Sequence, residues 1–356
     1  MAEVAEVAEV ARVTVLGTGA WGTTLARLVA EERLRQADGD VATADTVLLW
    51  DHHAERAAVI EHDRENRDYL PGMMFPPNLR VTGDLAEALR DQALVVFVTP
   101  SQRLREAAKQ AAPLLAPGAI AVSASKGLEL GTRLRMSQVL QQEMPSGFPI
   151  VALSGPNLAL EIARGLPAAA VVASDAPAAA ETARTLLTAG MFRVYTSDDM
   201  AGVELGGALK NIIALGVGIS DGLSYGENAK AAFMTRALAE ISRLALAAGA
   251  NPLTLAGLAG LGDLIATCSS PLSRNRTLGL ELAKGRALDE VLAERKTVAE
   301  GVTTTRAALE LAATLHVELP ITEQIAGVLF EQRDVKEAVR LLMLRDPKHE
   351  LHGLNE

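Results

Sequence analysis

The sequence has few of the residues that build disulfide frameworks or metal centres. Cys268 is the single cysteine in 356 residues, which excludes an internal disulfide framework and fits a reducing compartment. The six histidines are scattered and show no metal-ligand spacing. We therefore predict a cytoplasmic protein that holds no metal.

The chain is also short of positive charge. Its 34 lysines and arginines are outnumbered by 44 aspartates and glutamates, which gives a formal net charge of -10. This balance argues against nucleic acid or an anionic membrane surface as a partner. An anionic ligand would need locally placed basic groups, so isolated lysines and arginines near glycines are informative.

No targeting or membrane-spanning segment is predicted. Residues 1–11 contain Ala-Glu-Val three times and lack the basic region and apolar core of a signal peptide, so we expect a disordered extension. Residues 244–262 are uncharged, but they are rich in alanine and glycine and are interrupted by Asn251-Pro252. This composition favours buried helices over a membrane span.

A glycine motif follows the first β-like run of the chain. That run, residues 12–16, leads directly into Gly17-Thr18-Gly19-Ala20-Trp21-Gly22, after which apolar residues recur at helical spacing. In a strand, turn and helix, such glycines permit a tight turn, a close approach of a pyrophosphate and close packing at the helix N-terminus. We predict a dinucleotide site, with Trp21 placed to cover the cofactor.

The pattern of apolar runs predicts the architecture. The β-like runs are residues 12–16, 47–50, 94–99, 119–123, 150–153, 168–173 and 192–196. Because they are nearly continuous in valine, isoleucine, leucine and alanine and alternate with helices, they predict an α/β fold with an N-terminal Rossmann-like, doubly wound, mainly parallel sheet. Helical periodicity alone follows. We predict a dinucleotide-binding domain over 12–198 and an all-α C-terminal substrate and catalytic domain over 199–356.

The second β-like run ends at Asp51-His52-His53, where this type of fold contacts the adenine ribose. An acidic residue there favours a free 2′-hydroxyl and a basic residue favours a 2′-phosphate, so Asp51 and the two histidines point to different cofactors. Surface histidines in a loop would give the same pattern.

Two basic segments are candidates for binding a phosphate. Lys126 follows a strand and precedes a glycine, although a solvated loop lysine fits this pattern too. Ser273-Arg274-Asn275 could place a hydroxyl, a guanidinium and an amide on one phosphate. A helix cap with exposed arginines would give the same pattern.

Lys210 is the most unusual charge in the chain. Apart from Glu204 it is the only charged residue in 203–215, and it lies among small and aliphatic residues. A desolvated ammonium is costly without a partner. Lys210 either extends along the helix to water or lines a cleft in which glycines let backbones approach closely. Asn211 and the surrounding glycines favour the cleft.

Together these motifs resemble the bacterial NAD(P)-dependent glycerol-3-phosphate dehydrogenase family, from Val13 to about Lys348. The matching segments are residues 17–22, 69–72, 125–127, 154–156 with Ala159 and Glu161, 208–211, 262–264 with Thr267-Cys268, 273–276 and 298–301. The resemblance implies reversible reduction of dihydroxyacetone phosphate to sn-glycerol 3-phosphate for glycerophospholipid synthesis. It implies NAD or NADP as cofactor and no metal.

The resemblance also implies roles for individual residues. Lys210 matches the catalytic lysine, which donates a proton to the C2 oxygen during reduction and accepts one in reverse. Implied substrate contacts are Lys126, Gly155, Asn157, Lys210, Asp263, Ser273, Arg274 and Asn275. Implied cofactor contacts are Gly17, Gly19, Ala20, Trp21, Gly22, His52, His53, Tyr69, Lys126, Ala159, Arg274, Val298 and Glu300.

The sequence departs from the family pattern at two places. Asn157 stands where the family usually has serine and still offers hydrogen-bonding groups. Residues 51–53 stand where an arginine commonly follows the second strand, which argues against a strict preference for NADP and leaves the choice between NAD and NADP open.

Two other functions compete with this interpretation. A β-hydroxyacid or 2-ketoacid reductase would share the architecture but act on carboxylates, whereas Lys126 and the 273–276 cluster suit a phosphate better. A non-catalytic dinucleotide sensor would be expected to lack Lys210 or the substrate cluster. The expected partner is a small phosphorylated substrate, and a homodimer is compatible with the sequence.

Overall fold

The computed structural model describes residues 12–294, 299–347 and 349. The expected extension at 1–11 lies outside these residues. The strands are β1 (Val13–Leu16), β2 (Val47–Trp50), β3 (Leu79–Thr82), β4 (Leu94–Phe97), β5 (Ile120–Ser123), β6 (Ile150–Ser154), β7 (Ala168–Ala173) and β8 (Phe192–Ser197). The helices interleaved with the strands are α1 (Ala20–Gln36), α2 (Ala54–Asp63), α3 (Leu85–Leu89), α4 (Leu104–Ala111), α5 (Met136–Glu143), α6 (Ala159–Ala163) and α7 (Pro177–Leu187).

Helices without strands follow β8 in the described chain. They are α8 (Met200–Gly222), α9 (Gly226–Ala247), α10 (Pro252–Leu255), α11 (Asp263–Ser269), α12 (Arg274–Ala283), α13 (Leu288–Ala293), α14 (Glu300–Leu315), α15 (Pro320–Phe330) and α16 (Val335–Met343). A π-helical turn, Leu258–Gly262, leads into α11.

The eight strands form one sheet in the order β3-β2-β1-β4-β5-β6-β7-β8. Neighbouring strands are parallel except β6 and β7. The chain passes from one side of β1 to the other between β3 and β4, and in such sheets a crevice for ligands opens outside the carboxyl ends of the strands at that point. The predicted doubly wound, mainly parallel sheet with a helical domain after it is confirmed.

Alternating side chains of the buried strands enter two cores, one on each face of the sheet. In β4, Val96 packs in the cluster that includes residues of α1 and α7. Its neighbours Val95 and Phe97 pack in the cluster that includes residues of α4 and α5. Burial on both faces explains why these strands read as continuous apolar runs.

The strand β3 was not predicted from the sequence. Its four residues, Leu79–Thr82, include Arg80, whose side chain is exposed and pairs with Glu87. β3 lies at the edge of the sheet, where a polar side chain is tolerated. A short edge strand therefore lacks the apolar pattern that revealed the others.

The helix α8 is the core of the helical domain, since its buried residues contact α9, α11, α12 and α14. Glycines let it approach α12 closely. A Cβ built at Gly218 would lie 2.0 Å from the carbonyl oxygen of Arg276, and one at Gly279 would lie 2.1 Å from that of Leu215. The two helices are therefore in backbone contact.

Within the described residues, two helical segments are long and apolar enough to cross a membrane, Met200–Gly222 and Pro252–Ser269. The most apolar window of the first is 94% buried inside the protein, and that of the second is 39% buried. A buried core helix such as α8 passes the same test of length and composition.

Replacing Gly279 by alanine tests the close contact of α8 and α12. Gly279→Ala should lower the free energy of unfolding by ~1–3 kcal/mol, because the added methyl group forces the two backbones apart. Alanine has the higher helix propensity by about 1 kcal/mol, so propensity alone predicts the opposite sign. Chemical denaturation measures the change.

The matched control is Ala231→Gly on the exposed side of α9, which reports the propensity difference without a packing effect. A Gly279→Ala protein as stable as the parent would contradict the backbone contact between α8 and α12.

Candidate active site

The N-terminal half of α8 packs against the carboxyl ends of the central strands. A Cβ at Gly207 would lie 2.2 Å from Oγ of Ser154, which ends β6, and 3.6 Å from Cδ of Lys126, which follows β5. Glycine at 207 therefore allows the helix to meet the crevice of the sheet. Lys210, one turn further along α8, is carried into the same region.

The side chain of Lys210 is buried and bonded, and does not extend to water. It is 8% exposed, and Nζ donates hydrogen bonds of 2.5 Å to Oδ1 of Asp263 and 2.5 Å to Oγ1 of Thr267. Asp263 and Thr267 are four residues apart on α11, so both side chains project from one face of that helix. This arrangement excludes the first of the two alternatives for Lys210, extension along the helix to water, and is compatible with the second.

The second carboxylate oxygen of Asp263 binds a second lysine. Nζ of Lys126 lies 2.5 Å from Oδ2 of Asp263 and 2.8 Å from the carbonyl oxygen of Gly155. The side chains of Asp263 and Lys126 are 2% and 17% exposed. Two ammonium groups therefore share one buried carboxylate, and this group of three charges has a net charge of +1 when both lysines are protonated.

Burial lowers the pKa of Lys210 to about 8, with Asp263 acting in the opposite direction and Lys126 adding to the decrease. An ammonium whose pKa lies near neutrality can both give and take a proton at physiological pH. The neighbouring thiol of Cys268 is inert by comparison, since burial raises its pKa to about 12.

A chain of amide hydrogen bonds ties three helices together beside Lys210. Nδ2 of Asn275 donates to Oδ1 of Asn211 at 2.8 Å, and Oδ1 of Asn275 accepts from the backbone N–H of Gly301 at 3.0 Å. These residues belong to α12, α8 and α14. The pair Asn211 and Asn275 thus fixes the N-terminus of α12 relative to Lys210.

Ser273 is the N-cap of α12, and its Oγ accepts from the backbone N–H of Arg276 at 3.3 Å. Arg276 pairs with Asp221 at 2.6 Å, while Arg274 lies at the exposed first position of the helix. The helix-cap pattern considered from the sequence is therefore present. It does not compete with anion binding, because a helix N-terminus attracts negative charge.

The glycine turn has the geometry that a pyrophosphate requires. Gly17 has φ +126°, and a Cβ there would lie 2.5 Å from the carbonyl oxygen of Val98. A Cβ at Gly22 would lie 2.0 Å from the carbonyl oxygen of Gly17, whereas the position of a Cβ at Gly19 is open. Gly19 is the N-cap of α1, with Ala20 as the first helical residue. The turn thus leaves the start of α1 accessible to a ligand.

Trp21 and Asn66 complete this part of the site. Nε1 of Trp21 is buried and has no hydrogen-bond partner in the described part of the chain, and its ring lies edge-to-face with Phe192 at 5.9 Å. Nδ2 of Asn66 donates to the carbonyl oxygen of Thr18 at 2.7 Å and to Oγ1 of Thr23 at 2.8 Å. An unpartnered buried donor next to the turn fits a bound group.

Asn157 and Ser154 carry further unpartnered groups at the same edge of the sheet. Both side-chain polar atoms of Asn157 and Oγ of Ser154 are buried without a partner among residues 12–294 and 299–347. The intervening Gly155 has φ +141°, and a Cβ there would lie 2.8 Å from Cα of Ala170. Buried amides normally find partners, so the unpartnered side chain of Asn157 is compatible with a bound ligand.

Glu300 joins the helical domain to the sheet. Its carboxylate accepts from the backbone N–H of Ser101 at 3.1 Å and from Oγ of Ser101 at 2.5 Å. Burial raises the pKa of Glu300, and the bonds from Ser101 and the charge of Arg274 oppose this change. Ser101 follows β4, so this bond links the start of α14 to the carboxyl end of a central strand.

The remaining predicted cofactor residues come from separate segments of the chain. Tyr69 is partly buried before the turn at Gly72, and Ala159 begins α6, where its carbonyl oxygen accepts from Oγ1 of Thr24 at 3.2 Å. His52 and His53 follow β2, with ring centroids 3.9 Å apart. Val298 lies outside the described residues.

Sequence reasoning assigned no role to Thr267, Ser101, Asn66 or Arg56, each of which bonds a predicted site residue or the glycine turn. Only Thr267 carried a usable signal, because it lies four residues after Asp263 on a predicted helix. Within the described residues, no group of three His, Cys, Asp or Glu side chains could hold a metal ion.

The fold and the site define a class of protein: a two-domain, nicotinamide-dinucleotide-dependent oxidoreductase. Residues 12–180 match the family model of the NAD-dependent glycerol-3-phosphate dehydrogenase N-terminus, and residues 199–340 match that of the C-terminus. The chain belongs to the NAD-dependent glycerol-3-phosphate dehydrogenase family, as its motifs predicted.

Curated relatives match the sequence of this protein over almost the whole chain. A glycerol-3-phosphate dehydrogenase [NAD(P)+] of Dehalococcoides mccartyi is 50% identical over 96% of this chain and 93% of its own length. One of Pelotomaculum thermopropionicum is 48% identical over 96% of this chain and 95% of its own length.

Solved structures also match the fold of this protein. The crystal structure of glycerol-3-phosphate dehydrogenase from Coxiella burnetii is 36% identical, covers 94% of this chain and 99% of that chain, and has a TM-score of 0.87. A ketopantoate reductase from Ralstonia eutropha JMP134 is 15% identical, covers 92% and 99% of the two chains, and has a TM-score of 0.58. The latter likeness extends to the fold alone.

Proposed function

We propose that this protein is an NAD(P)-dependent sn-glycerol-3-phosphate dehydrogenase that reversibly reduces dihydroxyacetone phosphate to sn-glycerol 3-phosphate. The observation that carries the proposal is the buried group of Lys210, Asp263 and Lys126. It combines an acid of suitable pKa with a surplus of positive charge for a small anion. The names of the relatives support the same activity.

The substrate phosphate is assigned to the N-terminus of α12 and to Lys126. Ser273, Arg274 and Asn275 surround the first turn of a ten-residue helix. Free backbone N–H groups and the helix dipole attract a phosphate there, and Arg274 adds a guanidinium. Lys126 reaches the same cleft through its bonds to Asp263 and Gly155.

The cofactor is assigned to the turn at residues 17–22, with Trp21, His52, His53, Tyr69, Lys126, Ala159, Arg274, Val298 and Glu300 around it. The open backbone at Gly19 and the unpartnered Nε1 of Trp21 support this assignment. When bound, the reduced nicotinamide supplies a hydride to C2 of the ketone.

Lys210 supplies the proton of the reaction. As negative charge develops on the C2 oxygen, Nζ of Lys210 donates a proton to it, which leaves Lys210 neutral and gives the alcohol of glycerol 3-phosphate. In the reverse direction, neutral Lys210 removes the proton of that hydroxyl group. Asp263 and Thr267 hold Nζ in place through their hydrogen bonds, and proton transfer by a positioned group typically contributes ~10²- to 10⁴-fold.

The cellular role follows from the product. Glycerol 3-phosphate is a precursor for glycerophospholipid synthesis, and the single buried cysteine supports a cytoplasmic location. The enzyme acts on its small phosphorylated substrate as a monomer or homodimer, without a nucleic acid or membrane partner.

Replacement of Lys210 by methionine tests the proposed acid. Lys210→Met keeps the length of the side chain but removes its proton and charge, so kcat for reduction of dihydroxyacetone phosphate should fall by roughly 10² or more. Cofactor binding and the thermal midpoint should be retained. The value of kcat, cofactor binding and the thermal midpoint are measured on one preparation. The parent enzyme is also assayed with a chelator, which should not change its activity.

The control is Lys284→Met, which removes an exposed lysine whose side chain is 62% exposed. A folded, cofactor-binding Lys210→Met protein with near parental kcat would refute the assignment of Lys210. Loss of parental activity on chelation, restored by a divalent ion, would refute the metal-free mechanism.

The pH dependence gives a second test, because the pKa of Lys210 is lowered to about 8. Reduction needs the protonated lysine, so kcat/KM for dihydroxyacetone phosphate should fall as pH rises through about 8. Oxidation of glycerol 3-phosphate needs the neutral lysine, so its kcat/KM should rise over the same interval. Profiles that change in the same direction for both reactions would contradict this role.

A further inference from the structure

We propose that this enzyme selects NADP(H) over NAD(H), and that Arg56 is the residue that determines the selection. The inference rests on the proposed dinucleotide site and concerns the end that contacts the adenine ribose. From the sequence alone, Asp51 there favours NAD and the two histidines favour NADP. Arg56 is not among the residues implied by the family resemblance.

The carboxylate of Asp51 has no remaining capacity to bind a ribose hydroxyl. Oδ1 accepts from the backbone N–H of His53 at 2.8 Å and from Nη2 of Arg56 at 3.0 Å. Oδ2 accepts from Nε of Arg56 at 2.6 Å and from Oγ1 of Thr18. A carboxylate has about four lone-pair positions, and all of them are used.

Asp51 is also inaccessible. Its side chain is 0% exposed, and although burial acts to raise the pKa of Asp51, the hydrogen bonds from Arg56, Thr18 and His53 hold it below the ordinary value. The group therefore stays ionised and bound to its neighbours. An acidic residue that recognises the 2′-hydroxyl of NAD has to present a free oxygen to the ligand, which Asp51 does not do.

Arg56 presents donors instead. Its Nε and Nη2 are bonded to Asp51, and its Nη1 has no hydrogen bond to any residue in the described part of the chain. The side chain is 35% exposed, and its Nη2 also lies 3.4 Å from Oγ1 of Thr18 in the glycine turn. A guanidinium held in place by one carboxylate is preorganised to bind a phosphate with its free edge.

Some of the other charged groups near Arg56 favour the binding of a 2′-phosphate and others oppose it. The side chain of His52 is 63% exposed, and Arg103 lies close enough to contribute to the lowered pKa of His52, for which burial is the larger cause. The pKa of Arg56 is raised by its hydrogen bond to Asp51 and, to a smaller extent, by the negative charges of Tyr69 and Asp68, which oppose the binding of a phosphate. The rim offers the N–H groups of Arg56 and the imidazoles, whereas the one carboxylate at the strand end is fully occupied. A 2′-phosphate, with its several acceptor oxygens, fits these donors.

The experiment compares 2′,5′-ADP with 5′-AMP, which differs from it only by the missing 2′-phosphate, by calorimetry, so that the readout does not depend on turnover. The parent protein should bind 2′,5′-ADP about tenfold more tightly or better, as one charge-assisted hydrogen bond provides. Arg56→Gln should abolish this difference by weakening 2′,5′-ADP. Its affinity for 5′-AMP should hold or rise, because Asp51 regains free lone pairs.

Arg56→Gln leaves the buried carboxylate of Asp51 without its cation and could unfold the protein, so Arg56→Lys is tested beside it. Lysine keeps the charge next to Asp51 but lacks the second edge of the guanidinium, and should reduce the preference with the fold intact. Arg80→Gln, which removes an exposed arginine of β3, is the control and should retain the parental preference.

Three results would overturn the inference. Equal affinity of the parent protein for the two nucleotides would show that the rim does not recognise a 2′-phosphate, while leaving the dehydrogenase function standing if dihydroxyacetone phosphate is reduced. A preference that survives in a folded Arg56→Gln or Arg56→Lys protein would remove Arg56 as its source. Binding of neither nucleotide would refute the dinucleotide site itself.

Discussion

The site depends on one buried carboxylate that two lysines share. Asp263 lies between Lys210 and Lys126, and without it two ammonium groups would face each other in a desolvated cleft. Such a pair could not both stay protonated near neutral pH. Burial lowers the pKa of the proposed acid, and Asp263 limits that decrease while it also reduces the positive charge available to a substrate phosphate.

The rest of the structure brings these three residues together from distant parts of the chain. Lys126 follows β5, Lys210 lies in the middle of α8 and Asp263 begins α11. Gly207 allows α8 to reach β6 of the sheet, and Glu204 of the same helix accepts a hydrogen bond from the backbone N–H of Ser137 in α5 at 2.7 Å. The turn of α8 that precedes Lys210 is thus held against β6 and α5.

Much of the fold could be predicted from local sequence. The glycine turn after β1 and the apolar runs of the central strands are local patterns, and the structure contains them at the predicted places. The edge strand β3 could not be predicted in this way, because Arg80 breaks its apolar pattern and its partner β2 is about 30 residues away in sequence.

The site was predictable in its parts but not in its connections. The burial of Lys210 followed from its neighbours, whereas its bonds to Asp263 and Thr267 join residues 53 and 57 positions apart. The hydrogen bonds from Arg56 to Asp51 connect residues only five positions apart, yet they form only because of the way α2 is oriented after β2. A sequence shows which charges are present, but not which lone pairs remain free after folding.

The most direct test of the shared carboxylate is the pKa of Lys210 itself, measured by NMR titration of the lysine Cε resonances and assigned by the signal missing in Lys210→Met. The parent protein should give a pKa of about 8. Asp263→Asn keeps the shape of the side chain but removes its charge, and should lower the pKa of Lys210 further. Asp221→Asn, in the separate cluster with Arg276 and Lys230, should leave it in place. A Lys210 that titrates near the ordinary lysine value of about 10.4, or that Asp263→Asn does not move, would contradict the control of Lys210 by Asp263.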